Sequence, residues 1–520
     1  MCEAQLVTSV MAGLAKKPQD RPQTCTSVLK SAELSLCSGQ NDLARNVRQA
    51  IKAYQEKDYI HAFAAAQNAD KSDPQIQNII GHCFADGLAC AKNTVEAVKW
   101  FRMAAEQGHV TAQYKLGLIY EKGQGVTRNI KEAIRWYRMS AEQGFSSAQF
   151  KLGVMYGYGG VDGVEGRAEA VRWCRMAAEQ GEIEAQYILG RMYEYGRCVK
   201  RDMGLAIGWY RMAAEQVSVK AQFHLGWLYG NGRGVINDNA EAVKWTRMAA
   251  EQGYASAQYN LGLMYEDGRG VAKDERAAAV WYQKAAEKGD ENAQNSLGLM
   301  YEEGRGVMQN QEEAVKWFRE AAERGYDIAQ YNLGRMYEEG LGVAKDEAEA
   351  VKWYREAAEQ GYDYAQCNLG SMYEEGRGVV KDETEAVKWY RKAAEAGYGS
   401  AQCYLGKMYE IGRGVTKNEA EAVKWYRKAA EQGLATAQCN LGVMYANGLG
   451  VKCDEKVAVM YFRMAADQNL ALAQYNLGVM YAKGQGVKQD TNEAELWFRK
   501  AAEQGSKSAR EALRKKGLQW

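Results

Sequence analysis

Residues 257–289 read AQYNLGLMYEDGRGVAKDERAAAVWYQKAAEKG, and a close copy of this stretch returns every 36 residues along most of the chain. A period of that length is a structural unit, and it has to be recognised before any motif inside it is interpreted. Within the stretch, Ala257, Leu261, Met264 and Tyr265 follow helical spacing. Gly268 and Gly270 then break the pattern. A second helical pattern, Ala278, Trp281, Tyr282 and Ala285, runs up to Gly289. Each unit is therefore a helix hairpin whose apolar face is too small to bury by itself. It becomes stable only by stacking on its neighbours.

Composition agrees with that reading and excludes several function classes. The 520 residues contain 54 glycines but only three prolines (Pro18, Pro22 and Pro74), so glycine does the punctuating beyond residue 74. Formal net charge is +1 with charges mixed throughout, which argues against nucleic acid, a ligand that calls for concentrated basic surface. No run of 18 apolar residues exists, so no membrane span is expected. The opening residues, MCEAQLVTSVMAGLAKK, do not resemble a secretory signal, and a cytoplasmic location is expected. Of the eleven cysteines, Cys367, Cys403 and Cys439 sit where other units carry Tyr or Phe, which marks a buried apolar position. His82, Cys83 and Cys90 cluster without the spacing or the fourth ligand of a zinc site, and no metal or cofactor is expected.

Taken in order, residues 1–40 lack periodicity and read as largely disordered, with a short helix near 27–37. Residues 41–75 form a hairpin in which Asn41 caps the first helix and Pro74 closes the second. Its Tyr54, Tyr59, Ala62, Ala69 and Pro74 resemble a tetratricopeptide hairpin, a natural N-terminal cap. Twelve units follow over residues 76–505, with first-helix glycines from Gly81 to Gly478 and a second-helix Trp in eleven of them, Tyr461 standing in the other. Residues 506–520 keep apolar spacing only at Ala509 and Leu513 and read as a C-terminal capping helix and tail. The fold class is thus all-α, a superhelical α/α solenoid of about twelve hairpins.

Local chemistry accounts for most of the regular positions. An Asn or Asp seven residues before the aromatic (Asn93 and Asp274, for example) is placed to cap the second helix, and a Glu three residues later suits a capping box. Eight residues after the aromatic, ten units carry the Gly of a left-handed C-cap. Val217 takes that place in one unit, and its branched side chain predicts a different turn at 216–218. The Gly-x-Gly loops join two helices with no preceding strand, so they read as tight turns rather than phosphate cradles. Paired acids such as Glu302-Glu303 and Glu338-Glu339 recur in one setting and read as a solvated rim. The four histidines lie in no catalytic context.

The pattern A-x-x-x-L-G-x-x-Y-x-x-G-x-G-V, followed by A-x-x-W-Y/F-x-x-A-A-x-x-G, resembles the Sel1-like repeat over residues 76–505. That resemblance implies a tetratricopeptide-related solenoid that works as a non-enzymatic scaffold or adaptor for protein or peptide partners, as a monomer or within a hetero-complex. In such solenoids the stripe equivalent to residues 111, 115 and 118 lines the concave groove. Here the row at 115 carries Asn260, Asn332, Asn368, Asn440 and Asn476, whose amides could bind an extended backbone. An alternative is that these amides bond across neighbouring first helices. The row at 118 adds Arg191, Trp227, Arg335 and Lys407, residue types that anchor interfaces. Two rival functions are weaker. A hydrolase of the cysteine-rich relatives is expected to show paired cysteines, which are missing, and a helical-repeat RNA binder is expected to be basic.

Overall fold

The hairpin pattern is realised in full in the computed structural model, which describes residues 42–158 and 164–515. The segment 1–40 read as disordered, the capping residue Asn41 and the tail 516–520 lie outside the described residues. Every regular element among the described residues is an α-helix, and successive hairpins pack into a helical solenoid. They fall into two compact units, one ending at Asp238 and the other starting at Asn239.

The reference hairpin pairs helices Ala255–Asp267 and Glu275–Ala286. Gly268 ends the first helix in the left-handed conformation with φ of 71°. The Asp274 side chain opens the second by accepting from the Ala277 N–H. Nine other second helices show the same cap, as expected. The capping box does not close in the expected way. The cap residue's own N–H is already donated to a first-helix carbonyl, as from Asp274 to Tyr265 at 2.9 Å. The glutamate is left to pair along its helix, as Glu96 does with Lys99. Two further expectations are corrected. Pro74 opens helix Pro74–Asp86 behind the Asp73 cap instead of closing the preceding hairpin. Val217 keeps the standard turn, with φ of 69°.

Cores form between hairpins as well as within them. One comprises Ala278, Ala279, Tyr282, Ala285 and Ala286 from one hairpin with Ala293, Leu297, Met300 and Trp317 from the next. The residue after each Trp is the more deeply buried of the two: Tyr137, Tyr210, Tyr282, Tyr354, Tyr390 and Tyr426 rank among the largest fully buried side chains. The first-helix glycine makes room for that ring. A Cβ built on Gly262 would lie 2.5 Å from Tyr282 Cε1. A glutamine at one position in all twelve units is buried. Gln366 shows how: its amide nitrogen donates to the Ala358 carbonyl at the close of the preceding hairpin, 3.0 Å away. Several also accept from a glutamine thirty residues on, as Gln402 does from Gln432 at 2.9 Å. This polar spine seals one hairpin to the next, and the sequence reading did not single it out.

Candidate functional site

The first helix of most hairpins ends in a glutamate that belongs to a repeated polar device. Tyr210 donates to Glu194 Oε2 at 2.7 Å, Tyr354 to Glu338 Oε2 at 2.6 Å and Tyr390 to Glu374 Oε2 at 2.9 Å, each across sixteen residues. Tyr137, Tyr282 and Tyr426 do the same to Glu121, Glu266 and Glu410. Where Phe replaces that Tyr, at Phe101, Phe462 and Phe498, the residue sixteen earlier is alanine: Ala85, Ala446 and Ala482. Phe318 breaks the pairing by retaining Glu302, and Arg335 supplies the missing donor at 2.7 Å. The paired acids are therefore not both solvated. Glu302 is 13% exposed and held in place, whereas Glu303 is 52% exposed. Burial, followed by the adjacent glutamate, pushes the Tyr210 and Tyr354 phenols well above their ordinary value.

The other carboxylate oxygen receives a base from a following hairpin. Arg305 reaches Glu266 Oε1 and Arg377 reaches Glu338 Oε1, each at 2.5 Å, and Arg413 stands 3.7 Å from Glu374 Oε1. Lys151 instead donates to both oxygens of Glu121, at 3.3 Å to Oε1 and 3.2 Å to Oε2.

The candidate partner-binding residues separate by what they already bond to. In the second unit, Asn332 is buried and donates to Asn295 at 2.9 Å. Asn368 is half-buried. Asn440 and Asn476 point their amides at Cys403 Sγ (4.0 Å) and Cys439 Sγ (3.8 Å) of the preceding first helix. Asn332, Asn440 and Asn476, with Arg335 on Glu302, thus reach between neighbouring first helices, the contact given as the alternative for the row. Asn260 is half-buried and Lys407 is exposed. Tyr364 and Tyr404, also exposed on first helices, belong to the rows at 111 and 115 of the same stripe.

In the first unit, Arg191 lies 5.7 Å over the Tyr195 ring. Trp227 is half-buried, stacked on His224 at 5.8 Å and covered by the Arg233 guanidinium at 5.3 Å. His224 Nε2 is 2.7 Å from Glu194 Oε2. Tyr210 in that network is fully buried, which denies it to a substrate. Among the described residues no group of His, Cys, Asp and Glu side chains is placed to hold a metal ion, and no helix is long and apolar enough to cross a membrane.

Comparison with known proteins agrees with this architecture. The sequence model of the Sel1 repeat matches twelve consecutive segments from residues 76–109 to residues 471–506. The crystal structure of c5321, a protective antigen of uropathogenic Escherichia coli strains with an SLR fold, is 38% identical with a TM-score of 0.70. The alignment covers 87% of this chain and 97% of that one. A Sel1 repeat protein from Oxalobacter formigenes is 36% identical with a TM-score of 0.52, over 63% of this chain and 93% of its own. No curated protein matches the chain.

Proposed function

The chain belongs to the Sel1 repeat family, whose members are in general protein-interaction scaffolds; from that premise we propose that it holds a partner protein, as an extended peptide, on the exposed side of its first helices. It works there as a cytoplasmic adaptor without chemistry of its own. One observation carries the reading. The regular residues of each hairpin are consumed by caps, turns and core, and Trp227 departs from its row by presenting a half-buried indole beside exposed Arg233. Aromatic and arginine side chains together are the usual anchors of protein interfaces. Arg191 supplies a further contact within the same unit on this reading, and Asn260, Lys407, Tyr364 and Tyr404 offer contacts of their own within the other unit, taken by itself. The asparagines at 332, 440 and 476, with Arg335, hold neighbouring first helices in register and shape the surface the peptide meets.

Affinity capture from native lysate, comparing the unaltered chain with Trp227→Ala and Tyr364→Ala, tests the proposal. Partners lost with either variant, at unchanged thermal unfolding, support it. Partners indifferent to both would move the site to another face.

A further inference from the structure

The loop arginine of these hairpins has two alternative seats, and one hairpin uses the unusual one. Arg305, Arg377 and Arg413 sit thirty-nine residues after Glu266, Glu338 and Glu374, and each lies against the Oε1 atom of its glutamate. Arg233 stands in the same relation to Glu194. It lies instead over the Trp227 ring, 5.3 Å from its centroid. Glu194 consequently keeps a buried Oε1 without a hydrogen-bond partner among the described residues, while Oε2 accepts from Tyr210 and faces His224 Nε2, both at 2.7 Å. The side chain of Glu194 is only 3% exposed. The residues matching Trp227 in the other three hairpins are Leu299, Ser371 and Lys407, none of which offers a ring to a guanidinium. Trp227 therefore accounts for the diversion of Arg233, and Arg233 itself is exposed to solvent.

From this geometry we propose that Trp227 is the receptor for an arginine side chain of the bound peptide, which takes the place of Arg233 on the indole while Arg233 turns back onto Glu194 Oε1. The inference rests on the peptide-binding reading above and names the side chain that the surface selects. An exchange of one guanidinium for another leaves the ring interaction intact. It also adds an ion pair on a carboxylate oxygen that otherwise has no donor, in the arrangement the other three hairpins already show. A planar guanidinium stacks flat on an indole, keeps its N–H groups in its own plane for other partners and is more weakly hydrated than a lysine ammonium, so arginine is the favoured cation.

The test uses the full chain and two blocked pentapeptides, Ac-Ser-Gly-Arg-Gly-Ser-NH2 and its citrulline counterpart, titrated against the Trp227 indole resonance or by calorimetry. The arginine peptide is expected to bind more tightly than the citrulline peptide. Arg233→Ala, an exposed substitution that leaves the fold alone, empties the ring and should strengthen arginine-peptide binding at least about threefold. Glu194→Gln removes the alternative seat and should weaken it, and Trp227→Ala should abolish it. Unchanged or weaker binding by Arg233→Ala, or equal binding of the two peptides, would overturn the exchange. If both peptides bind equally yet both are lost with Trp227→Ala, the peptide-binding surface stands and only the arginine selectivity falls. If neither binds, the arginine receptor is rejected, and the capture experiment decides the broader reading.

Discussion

Val217 shows how far a surrounding hydrogen-bond pattern can overrule a residue's own preference. Its N–H donates to Ala214 O, and that of Ser218 to Ala213 O, both at 3.0 Å. These are the bonds that Gly397 and Tyr398 make five hairpins further on. A branched residue held left-handed is strained by about 1–2 kcal/mol, and the Val217 side chain, 60% exposed, recovers little by packing. Val217→Gly should therefore raise stability by about 1 kcal/mol once the extra freedom of glycine in the unfolded chain is discounted. A higher thermal midpoint is the expected result, and a lower one would mean that the turn is not strained. The Tyr–Glu pairs give a second prediction at this scale. Tyr390→Phe strands the mostly buried Glu374 and should cost about 1–3 kcal/mol. Adding Glu374→Ala should recover much of that loss, since Phe462 with Ala446 and Phe498 with Ala482 are natural copies of the double variant. Additive losses in denaturant titrations would show that the two residues are uncoupled.

At the scale of the helix and the hairpin, the most legible features were those set by backbone geometry. Apolar spacing located the helices, and Asn or Asp located ten caps, because both follow from groups the backbone must satisfy within a few residues. Less legible were polar side chains whose partners lie in another hairpin. Gln258 and its counterparts look like surface residues in a local reading, yet they are buried because each meets a helix-end carbonyl of the preceding hairpin. The first glutamate of each acidic pair was misread for the same reason. The signal was nevertheless present: at a separation of sixteen residues Tyr goes with Glu, and Phe with Ala except at Phe318. Trp227 was legible as an exception in its row, but the seating of Arg233 on it was not. Helix Pro74–Asp86 adds a prediction about pH. His82 is buried against the edge of Phe101, and burial, reinforced by Lys115 and opposed by Asp86, lowers its pKa to about 4. Between the ordinary value of about 6.5 and the lowered one, only the unfolded chain binds the proton. That contribution to stability is thus full above pH 6.5 and is lost as pH falls towards 4. From pH 7 to pH 5 it amounts to about 2 kcal/mol. His82→Gln should flatten the fall in thermal stability over that range, and an unchanged slope would assign the pH response to other groups.

For the molecule as a whole, the core is a series of small clusters rather than one interior. The cluster around Tyr426 draws on Ala422, Val423, Ala429 and Ala430 of one second helix with Ala437, Leu441 and Met444 of the following first helix. Residues far along the chain take no part in it. Stability in such a stack is a sum of hairpin terms and nearest-neighbour terms, so damage should spread over adjoining hairpins and fade. Tyr426→Ala removes one of the largest fully buried side chains and should cost about 3–5 kcal/mol locally. Amide hydrogen exchange read by mass spectrometry should then show lost protection in helices Gly399–Ile411, Glu419–Glu431 and Ala435–Asn447, with helix Pro74–Asp86 keeping its native rate. Loss of protection along the entire chain would mean that the hairpins unfold as one cooperative body. A local loss has a consequence for function. The first helices could then change one exposed position, such as the proposed receptor at Trp227, without weakening distant hairpins. On the proposed function, that independence would let a chain of nearly identical hairpins carry its specificity in a few exceptional residues.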